Sequence, residues 1–575
     1  MPNYNFKLTG TKTTGPSIVD DWTDANCYPE SRIHSIVEVD GDIYNFDENL
    51  AGLGTTTYIA SFAWSISKGI TVNTRFGANG GGAILSRASG GSLIELSADS
   101  TVMTTINDLK FSSDSISFAM MVMSSSIVSK NVTLNRLEFI GASTTAQVIS
   151  LQQENGTIVI NDIVISGIYT ASLIYGAATM GANSTVDITI DGVHFNNVIG
   201  QSSVGFYGIL LRKGNFANAV STKVRNVTGI VTAANISGAF RAIELQGIDE
   251  MLIEYCSHTV VGTATANSAY GILIVGLDAV NRQAINPIVR YNDIKFNCPA
   301  GDACSIGADT TIDFMINPRV HDNEFAGLLP ASLVSSGVSP HGLTMRGLPS
   351  GKAYRNIIHG FHSPLMHSLC TSDEVQSVGN FIYDCYGVIY SYKGNSGGIM
   401  ANNLAIVTPN SMDGTVTKPY GTWAREQGGT ANSAGQSINN SIIYLGMIKP
   451  GMFALVDAGD ALTLSNNNYY TDQVLPADAF SYQGTDYDTL AAWNVAHEAE
   501  ATDKKNFSAS VAEIIAAFGN LDIDELVANS DTYGGGIKWW TGANPETLGE
   551  PLPDLVSHID QGLQSRNGPL SLKNL

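Results

Sequence analysis

The chain has 575 residues, enough for several domains of ordinary size or for one long repetitive architecture. It is 44% hydrophobic but only 14% charged, with 58 Gly and 18 Pro, which argues against a disordered chain and for a polar surface over a large apolar interior. Lys plus Arg total 30 against 52 Asp plus Glu; a net charge of −22 without a basic run argues against a nucleic-acid partner, because phosphate binding needs a basic face.

The first ten residues, "MPNYNFKLTG", lack the basic start and apolar stretch of a signal peptide. No run of about 18 apolar residues follows that could insert into a membrane. Residues 1–27 are polar, show no strand alternation and read as an attachment arm. The six Cys are scattered; Cys298 and Cys304 are close enough to close a small loop, yet packed, reduced thiols are the expectation.

From residue 28 to residue 470 one short pattern recurs: "NRLEF" at Asn135, "DGVHF" at Asp191, "NDIKF" at Asn292, "NIIHGF" at Asn356, "NFIYDC" at Asn380. Counting its first residue as position zero, matches fall at Asn135, Asn161, Asp191, Asn226, Cys256, Asn292, Asn323, Asn356, Asn380, Asn403 and Asn440. The intervals run from 23 to 37 residues, the range of a solenoid repeat. Inside each copy the apolar residues alternate, as in Leu137 and Phe139 or Ile294 and Phe296, which is strand periodicity with one face buried.

A second strand of the form Gly or Ala followed by alternating apolar residues sits in most intervals: "GILLR" at Gly208, "AIELQ" at Ala242, "GILIV" at Gly271, "GLTMR" at Gly342. Such repeats stack only if equivalent strands run parallel, about 4.8 Å apart, around one core. The position-zero Asn is then a corner post, adopting a left-handed backbone and bonding to the Asn of the next coil. About 12 coils are expected. Residues 471–575 lose the strand period and read as a capping region, with helical spacing at Asp486–Glu500 and Ser508–Gly519.

The "NDIKF" units, the "GI-x-L" strands and the Asn corners resemble right-handed parallel β-helix proteins, both phage tailspikes and bacterial polysaccharide lyases and hydrolases. "VEVDGDIYNF" at Val37 is similar to the first coils of that family, and "NNNYYTDQ" at Asn466 and "GEPLPD" at Gly549 to the tail of its bacterial members. The resemblance implies an all-β, single-stranded right-handed β-helix. For the tailspike branch it implies a homotrimer with the arm docked on other virion tail proteins.

On such a coil, outward residues of equivalent strands form columns. One step after position zero stand Asp293 and Glu324; three steps after, Lys295, Ala326 and His359. Two steps before stand Glu254, Arg290, His321 and Tyr354, and one step before, Tyr255, Tyr291, Asp322 and Arg355. The second strand adds Glu244, Asp313, Arg346 and His367, and four of ten His fall between Pro340 and His367. Carboxylates one coil apart suit retaining glycosidase geometry and those two coils apart suit inverting geometry, so Asp293 with Glu324 and Glu244 with Asp313 are the candidate acid pairs. The alternative is β-elimination of uronic acids by a base such as Lys295, His321 or His367, with Arg290, Arg346 or a bound Ca²⁺ neutralising the sugar carboxylate. Tyr291, Tyr354, His359 and Glu254 complete the binding set. The bland reading is that neighbouring charges on adjacent coils simply pair. No HExxH or paired CxxC motif points to a metal site.

Three functions fit these features: a phage virion tail protein of tailspike or fibre type that binds, and as a depolymerase cuts, a bacterial surface polysaccharide; a free polysaccharide lyase or glycoside hydrolase; and a non-enzymatic virion part or adhesin. The expected place of action is extracellular, on the virion, reached without a signal peptide.

Overall fold

In a computed structural model the described residues lie between 2 and 503, apart from short intervening stretches of which the longest are 48–56, 329–339 and 408–418. The helix expected at Ser508–Gly519 and the candidate Asp313 lie outside the described residues. The chain divides into two compact units, Met1–Ser268 with Gly276–Ala284, and Ala269–Val275 with Ile285–Leu575.

In both units the repeat is a coil of three short strands, and each strand pairs in parallel with its equivalent in the next coil. In the first unit one coil runs Ala219–Arg225, Thr228–Ala233 and Ala239–Gln246. In the second, one runs Arg319–His321, Glu324–Gly327 and Pro340–Arg346. This is the pairing of an all-β parallel solenoid. The described third strands number seven in the first unit and eight in the second, more coils than the twelve expected, because the earliest coils lack the full repeat.

The alternation fills each core with stacked equivalents. Phe111, Phe139, Ile165 and Phe195 stand in one register, with the first two rings 4.8 Å apart and 13° from parallel. Each such buried ring contributes on the order of 2–3 kcal/mol. The polar first segment opens with a strand, Asn3–Phe6, in parallel register with Ile43–Phe46, and Phe6 stacks on Phe46 at 5.1 Å. Cys27 and Tyr28 behind it are buried. The sequence leaves this segment outside the coils, but its start is tied into the sheet.

All six Cys are unpaired and buried, as expected, and burial pushes the Cys256 and Cys370 thiols up to about 12. Near the end of the described chain, the helix Leu490–Ala496 is capped by Thr489, whose hydroxyl accepts from the Ala492 amide. Its Trp493 stacks at 5.1 Å on the core ring of Phe480.

The Asn corners differ from the expectation in an instructive way. In the first unit Asn107 and Asn135 end the first strand, Asn161 and Asp191 stand in the same register inside the longer strands Gly156–Tyr169 and Thr185–Gly200, and the left-handed residue is the next one: Asp108, Arg136, Asp162 and Gly192. A buried Leu109, Leu137, Ile163 or Val193 follows. In the second unit the left-handed residue comes first, Tyr291, Asp322, Arg355 and Gly379, and the Asn takes the buried place after it. The repeat numbered above therefore merges two registers. Strand pairing sets Asp191 opposite Arg225 and Arg225 opposite Glu254, so Asn226 lies one residue late and Cys256 two.

Candidate functional site

The second unit gathers its charged and aromatic side chains at two places on the coil. The first is the corner. Register places Arg290, His321 and Tyr354 on successive rungs, as the spacing predicts. The His321 ring lies flat on Tyr354, 4.8 Å and 5° apart, and meets Tyr291 edge-on at 6.1 Å. His321 Nδ1 lies 2.8 Å from Asp322 Oδ2, and the Arg355 guanidinium donates to the same oxygen. Burial pushes the Asp322 carboxyl up, but the His321 hydrogen bond and the Arg355 charge outweigh it and leave it below the usual carboxylate range. Asp322 and Arg355 hold left-handed backbones, an uncommon state for residues with side chains, so the corner imposes their orientation.

Beside the corner, Asp293 and Glu324 stand opposite each other one rung apart, as expected. They turn to different partners. Asp293 lies 4.0 Å from Lys295, whereas Glu324, nearly fully buried, lies 3.4 Å from His359 Nε2. The His359 ring lies 4.5 Å from Tyr383 and 8° from parallel, a second flat ring pair on neighbouring rungs.

The second place is the third strand of each coil. Asp302, fully buried on Gly301–Ile306, stands opposite His341. Its Oδ1 lies 2.7 Å from His341 Nδ1 and 3.2 Å from Thr344 Oγ1, and its Oδ2 lies 3.1 Å from Arg346 Nη2. Burial raises this carboxyl, and the Arg346 charge and His341 hydrogen bond more than reverse that. Arg346, Ser368, Lys393 and Arg425 occupy one register on four successive rungs. The Arg425 guanidinium lies 4.2 Å over the Trp423 ring, which is itself 4.8 Å from Tyr420.

The remaining candidates sit elsewhere. Glu244, in the first unit, is fully buried and bridged by Arg241 Nη1 at 2.7 Å to both oxygens, with Gln246 also donating to it. Glu254 pairs with Arg225 at 2.7 Å. His367 is a correction. It stands opposite Met345 and Tyr392, inside the core, where burial pushes its imidazole down to about 3 and Ser377 Oγ lies 2.8 Å from Nε2. The pairing of Arg346 and His367 at one outward position fails because Arg346 aligns with Ser368 instead.

Asp302, Lys393 and Arg425 do not stand out in the sequence. "GDACSI" breaks the Gly-apolar-x-apolar form of the other third strands, and only its register beside "PHGLTM" reveals the outward acid. Among the described residues no group of three or more His, Cys, Asp or Glu is arranged to hold a metal ion. Comparison with models of known protein families and with curated protein sequences finds no match.

Proposed function

We propose that the chain is a right-handed parallel β-helix that binds a bacterial surface polysaccharide as a phage tail protein of tailspike or fibre type. Right-handedness follows the strong preference of parallel strand crossovers for that hand. The observation that carries glycan binding is the pair of flat ring stacks, His321 on Tyr354 and His359 on Tyr383, set among Arg355, Asp322 and Glu324. All of these are buried except His359, so the partly exposed His359 ring is the face offered to a sugar, with the buried Tyr383 and Glu324 fixing its orientation. The resemblance of the repeats to tailspikes supports the virion setting, the homotrimer and docking through residues 1–27.

The test is retention of the purified chain on a panel of immobilised capsule, exopolysaccharide and uronate polymers. Retention on one of them, lost at least tenfold in affinity when Tyr354 and Tyr383 are both changed to Ala, is the expected result. Failure to bind any polymer sinks the reading. Sedimentation at three times the chain mass is expected for the assembly.

A second reading, a free polysaccharide lyase or hydrolase, is favoured by one feature, the buried Asp302–His341 pair.

A further inference from the structure

We propose that Asp302, His341 and Ser363 form a Ser–His–Asp relay that hydrolyses acyl esters, with Ser363 as the nucleophile, His341 as its general base and Asp302 as the group that orients the base. The substrate class, O-acyl groups carried on sugar hydroxyls, rests on the polysaccharide reading above; the relay itself does not.

Strand register sets the three residues in one line. Asp302 stands opposite His341 and His341 opposite Ser363, on the third strands of three successive rungs. Asp302 and Ser363 are buried, and His341 is 9% exposed. Rungs about 4.8 Å apart suit such a relay, because opposite side chains on neighbouring rungs come within hydrogen-bonding reach. Asp302 and His341 already do so at 2.7 Å.

The Asp302 carboxylate only accepts hydrogen bonds, so the proton of a neutral His341 sits on Nδ1 and the Nε2 lone pair is left over. Nε2 has no hydrogen-bond partner among the described residues. The two ring nitrogens face opposite sides of an imidazole, so a ring that turns Nδ1 to the preceding rung turns Nε2 toward the rung of Ser363. A buried ring held in one tautomer with an unbonded acceptor is what a serine nucleophile requires of its base. Burial also favours the neutral ring, lowering the His341 pKa against the raising effect of Asp302.

The Ser363 hydroxyl itself lies 3.2 Å from His362 Nδ1. Burial pushes that imidazole down to about 3, so His362 is a neutral partner. Rotation about the one Cα–Cβ bond of Ser363 carries the hydroxyl from His362 toward His341, the kind of contact that tightens when substrate binds.

The reaction balances with water as the only co-reactant. Ser363 Oγ attacks the acyl carbon while its proton passes to His341 Nε2. The C–O bond to the sugar breaks, the sugar oxygen takes that proton, and the acyl group stays on Ser363. Water then attacks the acyl carbon as His341 takes its proton; the acyl–Ser363 bond breaks, the proton returns to Ser363 Oγ and the carboxylic acid leaves. Asp302 stabilises the imidazolium formed in each half.

The experiment treats the full chain with a fluorophosphonate, which forms a covalent adduct with activated serines, and locates the adduct by mass spectrometry. An adduct on Ser363 that is lost in His341→Gln is expected. Hydrolysis of p-nitrophenyl acetate, release of acetate from acetylated xylan and retention on the polymer panel are read in parallel. Ser363→Ala, a small change at a buried site, should lower kcat at least a thousandfold with retention unchanged. The adduct on the wild-type chain decides the matter even where a variant fails to fold.

Asp302 is a positioning residue, and its readout is the pH profile. The groups around His341 are Asp302, Arg346, Lys393 and His362. Activity falls as pH drops through the His341 pKa. Asp302→Asn removes the attraction that raises that pKa, so the acid limb should move to lower pH while the plateau falls. No adduct on Ser363, or full turnover by Ser363→Ala, overturns the relay, and retention on a polymer then leaves the binding reading standing. An adduct with p-nitrophenyl acetate turnover, but no retention on and no acetate from any polymer, supports the relay and overturns both its sugar substrate and the binding reading.

Discussion

The two units build their corners from the same residue in two different places. In the first, Asn side chains form an outer rail at the strand end: Asn135 Nδ2 donates to Asn107 Oδ1 at 2.9 Å, and Asn161 Nδ2 donates to Asn135 Oδ1 at 3.1 Å, all half-buried. In the second, the rail runs inside, where Asn292, Asn323, Asn356 and Asn380 are fully buried. There the Oδ1 atoms of Asn323, Asn356 and Asn380 each accept twice from the preceding rung; Asn356 Oδ1, for example, accepts from the Asn323 amide at 3.1 Å and from its side chain at 2.9 Å. The side chains of Asn323, Asn356 and Asn380 also donate to a backbone carbonyl, as Asn356 does to Val320 at 3.0 Å. The outer rail decorates a corner whose core residue is Leu137 or Ile163. The inner rail is the core of its corner. Moving Asn inward frees the strand-end and left-handed positions for other residues, and these are where His321, Asp322, Tyr354 and Arg355 stand.

The largest expected effect separates the two rails. Asn356→Ala strips acceptors from a buried amide and side chain and should cost about 3 kcal/mol, because unsatisfied buried donors are expensive. Asn135→Ala, whose partners can turn to water, should cost about 1 kcal/mol or less. Denaturant midpoints of the two variants check this, and equal losses would dissolve the distinction between the rails.

The next effect is pH dependence. Burial holds His362 and His367 of the second unit down to about 3, against an unfolded value of about 6.5. The unfolded chain therefore binds more protons, so stability is full above pH 6.5 and declines as pH falls toward 3. Each such His contributes a slope of up to about 1.4 kcal/mol per pH unit. Asp302 and Asp322, whose folded values lie below the usual carboxylate range, add a loss only at lower pH, as it falls below about 4 through those values. Thermal midpoints of the wild type and of His367→Gln from pH 7 to pH 4 measure it; a parallel decline of both would remove His367 from the account.

The smallest effect belongs to Lys295. Its 4.0 Å approach to Asp293 is made by a side chain 47% exposed, so Lys295→Ala should shift stability by no more than about 0.5 kcal/mol. A larger loss would show that the second strand's outward column does more than pair charges.

Strand periodicity, the coil interval and the presence of an Asn rail were legible from the residues alone, because alternation and turn chemistry are local properties. So were the neighbours Arg290, His321 and Tyr354, which share one short strand position. The register between coils was not legible where loop lengths vary. A slip of two residues between Asp191 and Cys256 passes unnoticed in a list of intervals, and a one-residue error turns an outward His into a core His, as at His367. Asp302 and His341 are 39 residues apart and meet only because two strands pair across a whole coil. Local sequence determined what each coil is made of; only the stacking of coils, which sets partners by hydrogen-bond register rather than by distance along the chain, decided which side chains act together.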